Sequence, residues 1–198
     1  MIVLAAPFSQ SAVKPQLVDP GYVLKSAGNA ASLRVDRPGM HYAAEFTLPA
    51  MTPESGRLLV GRLARARSEG IRVAWPLVGA VQGSPGSPQV DGTDSAGTTL
   101  KLKGLTPGYL AKEGYWLNVI DGAGVHYLHQ VAEATVRAGS DGKATLAVWP
   151  PLRCALADSA TVKLTGVQIE GVLTSDVAWE IPVNRLFVPP AIAIEEAN

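Results

Sequence analysis

Few residues of the chain have side chains suited to catalysis or metal binding. The 198 residues include three histidines, His41, His126 and His129, and a single cysteine, Cys154. His126 and His129 are three positions apart in a predicted strand, so they point to opposite faces and make a poor metal-binding pair. A cysteine hydrolase would need Cys154 beside one of these two histidines in the folded chain. No Gly-x-Ser-x-Gly nucleophile motif is present, and we predict that the protein is not an enzyme.

The acidic residues give no stronger indication of a bound metal or cofactor. Asp91 and Asp94 lie in the sequence DGTD, which has the composition of a calcium-binding loop but lacks its distal glutamate. We interpret both as turn-forming residues. No glycine-rich run ends in Gly-Lys-Ser/Thr, the pattern of a phosphate-binding loop. The sequence therefore predicts neither a cofactor nor a metal ion.

Four arginines fall within one predicted helix, at Arg57, Arg62, Arg65 and Arg67. Such a cluster could contact the phosphates of a nucleic acid. It could also be a solvated face or form ion pairs with a neighbouring subunit, the arginine stems covering apolar surface. The 17 lysines and arginines balance 17 aspartates and glutamates, whereas nucleic-acid binding usually requires excess positive charge. We predict intersubunit contact by these arginines and no specific nucleic-acid binding.

The tryptophans are the other candidates for a binding role. All four lie in predicted strands, at Trp75, Trp116, Trp149 and Trp179. Large aromatic side chains most often pack in cores and interfaces. In a carbohydrate-binding module an exposed ring is instead a platform on which a sugar stacks. Trp116 and Trp149, both in the middle of the chain, are the candidate ligand-stacking residues under that alternative.

The composition limits the class of protein that carries these residues. Hydrophobic residues make up 47% of the chain and charged residues 17%, with 20 glycines and 15 prolines. This excludes a disordered chain, a coiled coil and a helical bundle. A single cysteine predicts folding in a reducing compartment, and the lack of a run of about 18 apolar residues predicts no membrane insertion. An apolar surface without net charge favours association between copies.

Only one segment has the pattern of a helix, residues 53–68. Thr52 is a suitable N-cap, Pro53 occupies the favoured first position and Gly70 is a natural stop. Leu59, Leu63 and Ala66 follow the spacing of a buried helical face.

The rest of the chain is predicted to form short strands, which makes the fold mainly β. Residues 79–97 are rich in Gly, Ser, Pro and Asp and are interpreted as a linker or long loop. Beyond it, short strands with turn signals every ten residues or so favour a small β-barrel or sandwich. The two strands predicted at 172–181 and 186–194 are marginal alone, so we expect them to complete the first sheet. This predicts a discontinuous β domain, residues 21–80 and 170–198, with an inserted β module at 81–169.

Residues 1–20 precede these domains and are predicted to form an N-terminal arm. The apolar run at 2–8 lacks the positive flank of a signal peptide. It is interpreted as an arm or an edge strand. An arm of this kind could pair with the exposed strand edge of a neighbouring copy.

Several stretches resemble the minor tail proteins of long-tailed bacteriophages. One is RPGMHYAAEFTLPAMTPESGRLLVGRLARARSEG followed by WPLVG. A second is LKLKGLTPGYLAKEGYWLNVIDGAGVHYLHQVAEATVRAGSDGKATLAVWPPLR, similar to the inserted module of those proteins, and AIAIEEA resembles their ending. Glu113-Gly114 departs from this pattern, in which Gly-Asp is more usual. The resemblance extends from about Ser32 onward, and its motifs are structural.

The resemblance implies a virion protein of the tail tip, assembled in the host cytoplasm. Distal tail proteins combine a β-sandwich with one helix and form a ring, expected to be hexameric, that joins the tail tube to the hub. Its partners would be copies of itself, the tail tube, the hub and the tape measure protein. The alternative is a carbohydrate- or receptor-binding module of the same tail tip.

Overall fold

A computed structural model describes residues 1–4, 8, 10–25, 32–79, 81–180 and 186–196. Within these residues the protein is mainly β with one helix, which confirms that part of the prediction. Helix α1 (Pro53–Glu69) lies between the fifth and sixth strands. In chain order, the strands are β1 (Ile2–Leu4), β2 (Ala12–Val18), β3 (Tyr22–Leu24), β4 (Leu33–Val35), β5 (His41–Thr47), β6 (Ile71–Ala74), β7 (Gly86–Val90), β8 (Thr99–Leu105), β9 (Leu110–Ala111), β10 (Trp116–Ile120), β11 (His126–Val131), β12 (Val136–Arg137), β13 (Ala144–Trp149), β14 (Val162–Lys163), β15 (Gln168–Leu173) and β16 (Ile192–Glu196).

The larger structural unit is a six-stranded sheet, here called the main sheet, in the order β1-β6-β15-β16-β5-β2. Its first pair, β1 and β6, is parallel and the other pairs are antiparallel. In the strands other than the edge strand β2, inward-pointing residues are buried, among them Ile71, Ile169 and Ile194. This burial pattern gives the sheet one apolar face, as expected for strands that cover a core on one side only.

The helix covers that apolar face with Leu59, Leu63 and Ala66, which are all buried. At its start, the Ser55 N–H donates to Thr52 Oγ1 at 3.3 Å and Pro53 occupies the first turn. At its end, the Gly70 N–H donates to Ala66 O at 3.0 Å, and Gly70 has a φ of 76° that favours glycine. Both ends of the helix therefore follow from local sequence.

The second unit is a barrel-like sheet in the order β14-β10-β11-β13-β8-β7. Its two outer strands meet, because Gln89 bridges to Thr161 and the Val90 N–H donates to Ala160 O at 2.9 Å. The sheet is thereby nearly closed. Its interior is filled by fully buried side chains, including Leu100, Leu117 and Leu146.

Strand β7 lies inside the stretch that sequence composition predicts to be a loop, so the interpretation of 79–97 as a linker is wrong for these residues. Pro88 and Val90 are buried while Gly86, Ser87 and Gln89 are exposed, the alternation of a barrel strand. The register against β8 shifts between Gly86 and Gln89. Such an irregularity accommodates Pro88, which has no N–H to donate to a partner strand.

The N-terminal residues form both edges of the main sheet. β1 pairs with β6 at one edge, and β2 pairs with β5 along its whole length at the other. These segments are thus bound within their own chain instead of projecting as an arm. Residues 5–7 and 9, also within the predicted arm, lie outside the described residues.

The two units are linked in the chain through neighbouring strands of the main sheet. β6 and β15 pair with each other, yet the barrel strands occur between them in the sequence. β15 begins at Gln168 and ends at Leu173, earlier than the strand predicted at 172–181, and β16 spans Ile192–Glu196 where 186–194 is predicted. Residues 80, 181–185 and 197–198, which these predictions also include, lie outside the described residues.

The units also share buried contacts along β11. The His126 N–H donates to Glu170 of the main sheet at 3.1 Å, and the Leu128 N–H donates to Glu196 at 2.7 Å. The Leu128 side chain belongs to the core of the main sheet, not to the barrel interior. Strand β11 therefore contributes to both units.

Candidate ligand cleft and assembly surfaces

The helical arginines are mostly engaged within the chain. Arg65 forms two hydrogen bonds with Glu69, at 2.9 and 3.0 Å. The Arg62 guanidinium lies 5.2 Å from the centre of the Phe8 ring, and Arg67 donates to Ser175 O at 2.8 Å. Arg57 is exposed and makes no ion pair or hydrogen bond with the described residues. Intersubunit contact by this set remains a prediction, with Arg57 the member most accessible to a neighbouring copy.

Trp116 is packed where the barrel meets the main sheet. Its ring is centred 4.7 Å from that of Trp75 and 5.0 Å from that of Tyr42. Its backbone N–H donates to Gln82 Oε1 at 2.8 Å, and its carbonyl accepts from the same buried amide at 2.7 Å. Trp116 is half-buried beside a small cleft of about 340 Å³. These contacts give the ring a packing role, so Trp149 is the better candidate for ligand stacking.

Trp149 is 39% exposed and lines a cleft of about 860 Å³. We call this cavity the Trp149 cleft; its lining is Arg34, Asp36, Arg37, Pro38, Gly39, Met40, Tyr127, Trp149, Pro151, Leu152 and Arg153. One wall is the β4–β5 turn, and the other is the barrel segment that begins at the end of β13. A volume in this range is typical of ligand sites.

The barrel wall of the Trp149 cleft is held from beneath by two buried polar contacts. His129 Nδ1 lies 2.8 Å from Pro150 O. Since a carbonyl oxygen only accepts, Nδ1 carries the hydrogen. Arg153 pairs with Glu196 at 2.9 Å, and both side chains are largely buried. These contacts hold in place the backbone segment that carries Trp149 and Leu152.

The opposite wall has a fixed charge pattern. Arg34 donates to Asp36 at 2.6 Å and to Asp19 at 2.7 Å, which occupies its guanidinium. Arg37 lies 4.9 Å from the centre of the Tyr22 ring and has no ion pair with the described residues. Arg37 is exposed. It is therefore the cation of this wall that a bound anion could reach.

The histidines and the cysteine do not form a catalytic pair in the described part of the chain. His126 and His129 are both buried, and burial lowers the pKa of each to about 4. Burial raises the pKa of Cys154, whose nearby polar groups are Tyr127, Asp121 and Arg153. Among the described residues no hydrogen bond joins Cys154 to a histidine, and no group of three or more metal-ligating side chains occurs.

One exposed apolar surface belongs to the hairpin formed by β3 and β4. Among the strands that the structure describes, these two pair only with each other. Four of their apolar side chains are exposed, namely Tyr22, Val23, Leu24 and Leu33, the last of them by 62%. A water-exposed hairpin of this composition is marginal unless another surface covers it.

A second exposed apolar surface lies on the connection between β15 and β16. Trp179, Leu186 and Val188 are exposed by 48, 60 and 71% and line a shallow cavity of about 530 Å³. We call these three residues the connector patch. Glu180, which also lines this cavity and is exposed, gives the patch an acidic rim. Exposed Lys25, the residue after β3, gives the hairpin a basic one.

Sequence analysis misses both the hairpin and most of the Trp149 cleft. Arg34, Arg37 and Tyr127 are not singled out there as candidate site residues. The apolar triplet Tyr22–Leu24 could have indicated the hairpin, since isolated apolar runs between turn residues favour strands. The cleft has no comparable signal, because its two walls are separated by more than a hundred residues of chain.

The described part of the chain contains no helix with the length and apolar character needed to cross a membrane. No protein-family model matches the chain, and no curated protein matches it.

Proposed function

We propose that the protein is a structural component of the tail tip of a long-tailed bacteriophage. Copies of it form a ring, hexameric by the resemblance, between tail tube and hub, with the tape measure protein as a further partner. The protein is located in the virion after assembly in the host cytoplasm and acts by assembly, not by catalysis. In this proposal the main sheet and helix correspond to the β-sandwich of distal tail proteins.

The observation that carries this proposal is the pair of unlike apolar surfaces, the hairpin and the connector patch. A closed ring of identical copies requires two different surfaces that fit each other, because each contact is made head to tail. The basic rim of the hairpin, Lys25, complements the acidic rim of the connector patch, Glu180. Complementary charge favours one register of docking. The hairpin of one copy therefore contacts the connector patch of the next.

Two variants test this contact. Val23→Asp with Leu24→Asp places charge on the hairpin, and Leu186→Asp with Val188→Asp places it on the connector patch. Both are expected to abolish the ring in size-exclusion chromatography with light scattering. Val78→Asp with Val81→Asp is the matched control, because both valines are almost fully exposed elsewhere on the chain. A wild-type protein that is monomeric at all concentrations and absent from purified virions would contradict the proposed function.

Mixing the two variants distinguishes a head-to-tail contact from a symmetric one. Each variant retains one intact surface, so the mixture is expected to form a one-to-one dimer and no larger species. If hairpins paired with hairpins, the connector-patch variant would instead dimerise with itself and the mixture would contain no one-to-one dimer. The two variants have equal masses, so one of them is isotope-labelled; native mass spectrometry then tells them apart and counts the copies of each.

A further inference from the structure

We propose that the Trp149 cleft binds a sugar ring that carries a negative charge, either a carboxylate or a phosphate. Apart from Arg34, which lies in β4, the cleft is lined by residues outside the hairpin and the connector patch. Binding there does not require the ring, so the proposal does not depend on the function proposed above.

The sugar ring would stack on Trp149. An aromatic ring offers a flat apolar face, and the indole of Trp149 is 39% exposed at the mouth of the cleft. Leu152 and Tyr127, both half-buried, continue the apolar surface beside it. A flat ligand with one apolar face and a polar edge fits such a wall better than a fully polar ion does.

The negative charge would pair with Arg37 on the facing wall. Guanidinium groups bind carboxylate and phosphate through paired N–H donors. The charge of Arg34 is already paired with Asp19 and Asp36, and Arg153 pairs with the buried Glu196. Arg37 contacts the face of the Tyr22 ring, an interaction that leaves the edge of the guanidinium open to an anion.

The cleft is also preorganised, which favours binding. The bond from His129 to Pro150 O and the pair between Arg153 and Glu196 hold the Trp149 wall in place. On the other side, Gly39 O lies 2.6 Å from His41 Nδ1, and His41 is buried beneath the turn. A ligand that meets fixed walls does not have to order them.

The test measures binding of defined anionic sugars by calorimetry. The probes are trigalacturonic acid, with its methyl-esterified form as the uncharged counterpart, and glucose 6-phosphate, with glucose as its counterpart. We expect at least one anionic probe to bind at least about tenfold more tightly than its counterpart, because charge-assisted contacts to arginine are the stronger ones. Comparison of trigalacturonic acid with glucose 6-phosphate shows whether the cleft prefers a carboxylate or a phosphate.

Three variants assign the binding to this cleft. Trp149→Ala is expected to weaken binding at least about tenfold through loss of the stacking face. Arg37→Gln is expected to equalise the affinities for the charged and uncharged forms. Val81→Ala, which removes an exposed apolar side chain outside the cleft and outside both assembly surfaces, is the control and should leave affinity unchanged.

The proposal is overturned if neither anionic probe binds more tightly than its counterpart, or if Trp149→Ala binds as the wild type does. An equal loss in Val81→Ala would also overturn it. Arg37 is an exposed turn residue whose replacement leaves the core intact, so the charge preference can be measured even if Trp149→Ala folds poorly.

Discussion

Two of the three histidines lie buried on opposite faces of the same barrel strand. His129 donates through Nδ1 to Pro150 O, and His126 Nδ1 has no hydrogen-bond partner in the described structure. Their spacing in sequence indicates that they cannot share a metal ion, and the structure places each in a separate buried environment. Both are neutral in the folded protein near pH 7, because burial lowers the pKa of each to about 4. Of the two, His129 helps to position the Trp149 wall through its bond to Pro150 O.

These shifts predict acid sensitivity. An unfolded histidine takes up a proton below about pH 6.5, whereas the folded ones do so only near pH 4. Above the pKa of the unfolded histidine, about 6.5, the contribution of each histidine to stability is fully present. It is lost as the pH falls from about 6.5 to about 4. For each unit by which the pH falls in this window, each histidine lowers the free energy of unfolding by up to about 1.4 kcal/mol.

The variant His129→Gln isolates one of the two contributions. Its amide can still donate to Pro150 O, but it does not titrate. Urea unfolding at pH 7 and pH 5 should show a smaller loss of stability on acidification in the variant than in the wild type. Equal losses would mean that His129 is already protonated in the folded protein.

At the scale of elements, helix α1 contains two glycines, Gly56 and Gly61, for which the sequence alone predicts the same effect on stability. Each is expected to weaken the helix by about 1 kcal/mol relative to alanine. The structure separates them, because a Cβ at Gly56 would lie 2.4 Å from the Phe187 ring, whereas a Cβ at Gly61 would meet nothing within 4 Å. Gly56 allows the helix to approach Phe187, which also pairs with Met51 through two backbone hydrogen bonds.

The same substitution at both positions should therefore change stability in opposite directions. Gly61→Ala is expected to raise the free energy of unfolding by up to about 1 kcal/mol. Gly56→Ala is expected to lower it by about 1–3 kcal/mol, since the buried ring must move. Thermal or urea unfolding of the two variants measures the change in the free energy of unfolding. If both substitutions stabilise the protein, the Phe187 ring does not pack closely against Gly56.

At the scale of the whole molecule, β11 joins the barrel to the main sheet. Its backbone donates to Glu170 and Glu196, and Leu128 fills the core of the main sheet. Glu170 is in turn paired with Arg72 at 2.7 Å. A buried carboxylate that loses such partners is strongly destabilising. Separating the two units would therefore expose both charge and apolar surface.

We accordingly expect a single cooperative unfolding transition that includes both units. Calorimetry and circular dichroism should report the same midpoint. Leu128→Ala is expected to lower the free energy of unfolding by about 2–5 kcal/mol, as for other fully buried leucines, and to shift the melting of both units together. Two separate transitions in the wild type would show that the β11 contacts do not couple them.

The sequence by itself determined what depends on neighbouring residues. The mainly β composition, the helix with its Thr52 cap and its Gly70 stop, and most strands of the barrel follow from local periodicity and turn residues. The unsuitable spacing of His126 and His129 is equally local. The sequence identified Trp149 as a candidate stacking residue but did not distinguish it from Trp116.

Only the tertiary structure decided which of these residues are accessible and what they face. Strand β7 forms in a Gly- and Pro-rich stretch because β8 and the residues before β14 supply its hydrogen bonds. Residues 12–18 become an edge strand because β5 pairs with all of them. Trp149 and Arg37 line the same cleft because the barrel packs against the main sheet through Glu170, Glu196 and Leu128. Such contacts join residues far apart in the chain, and their energy depends on burial and geometry that no local pattern contains.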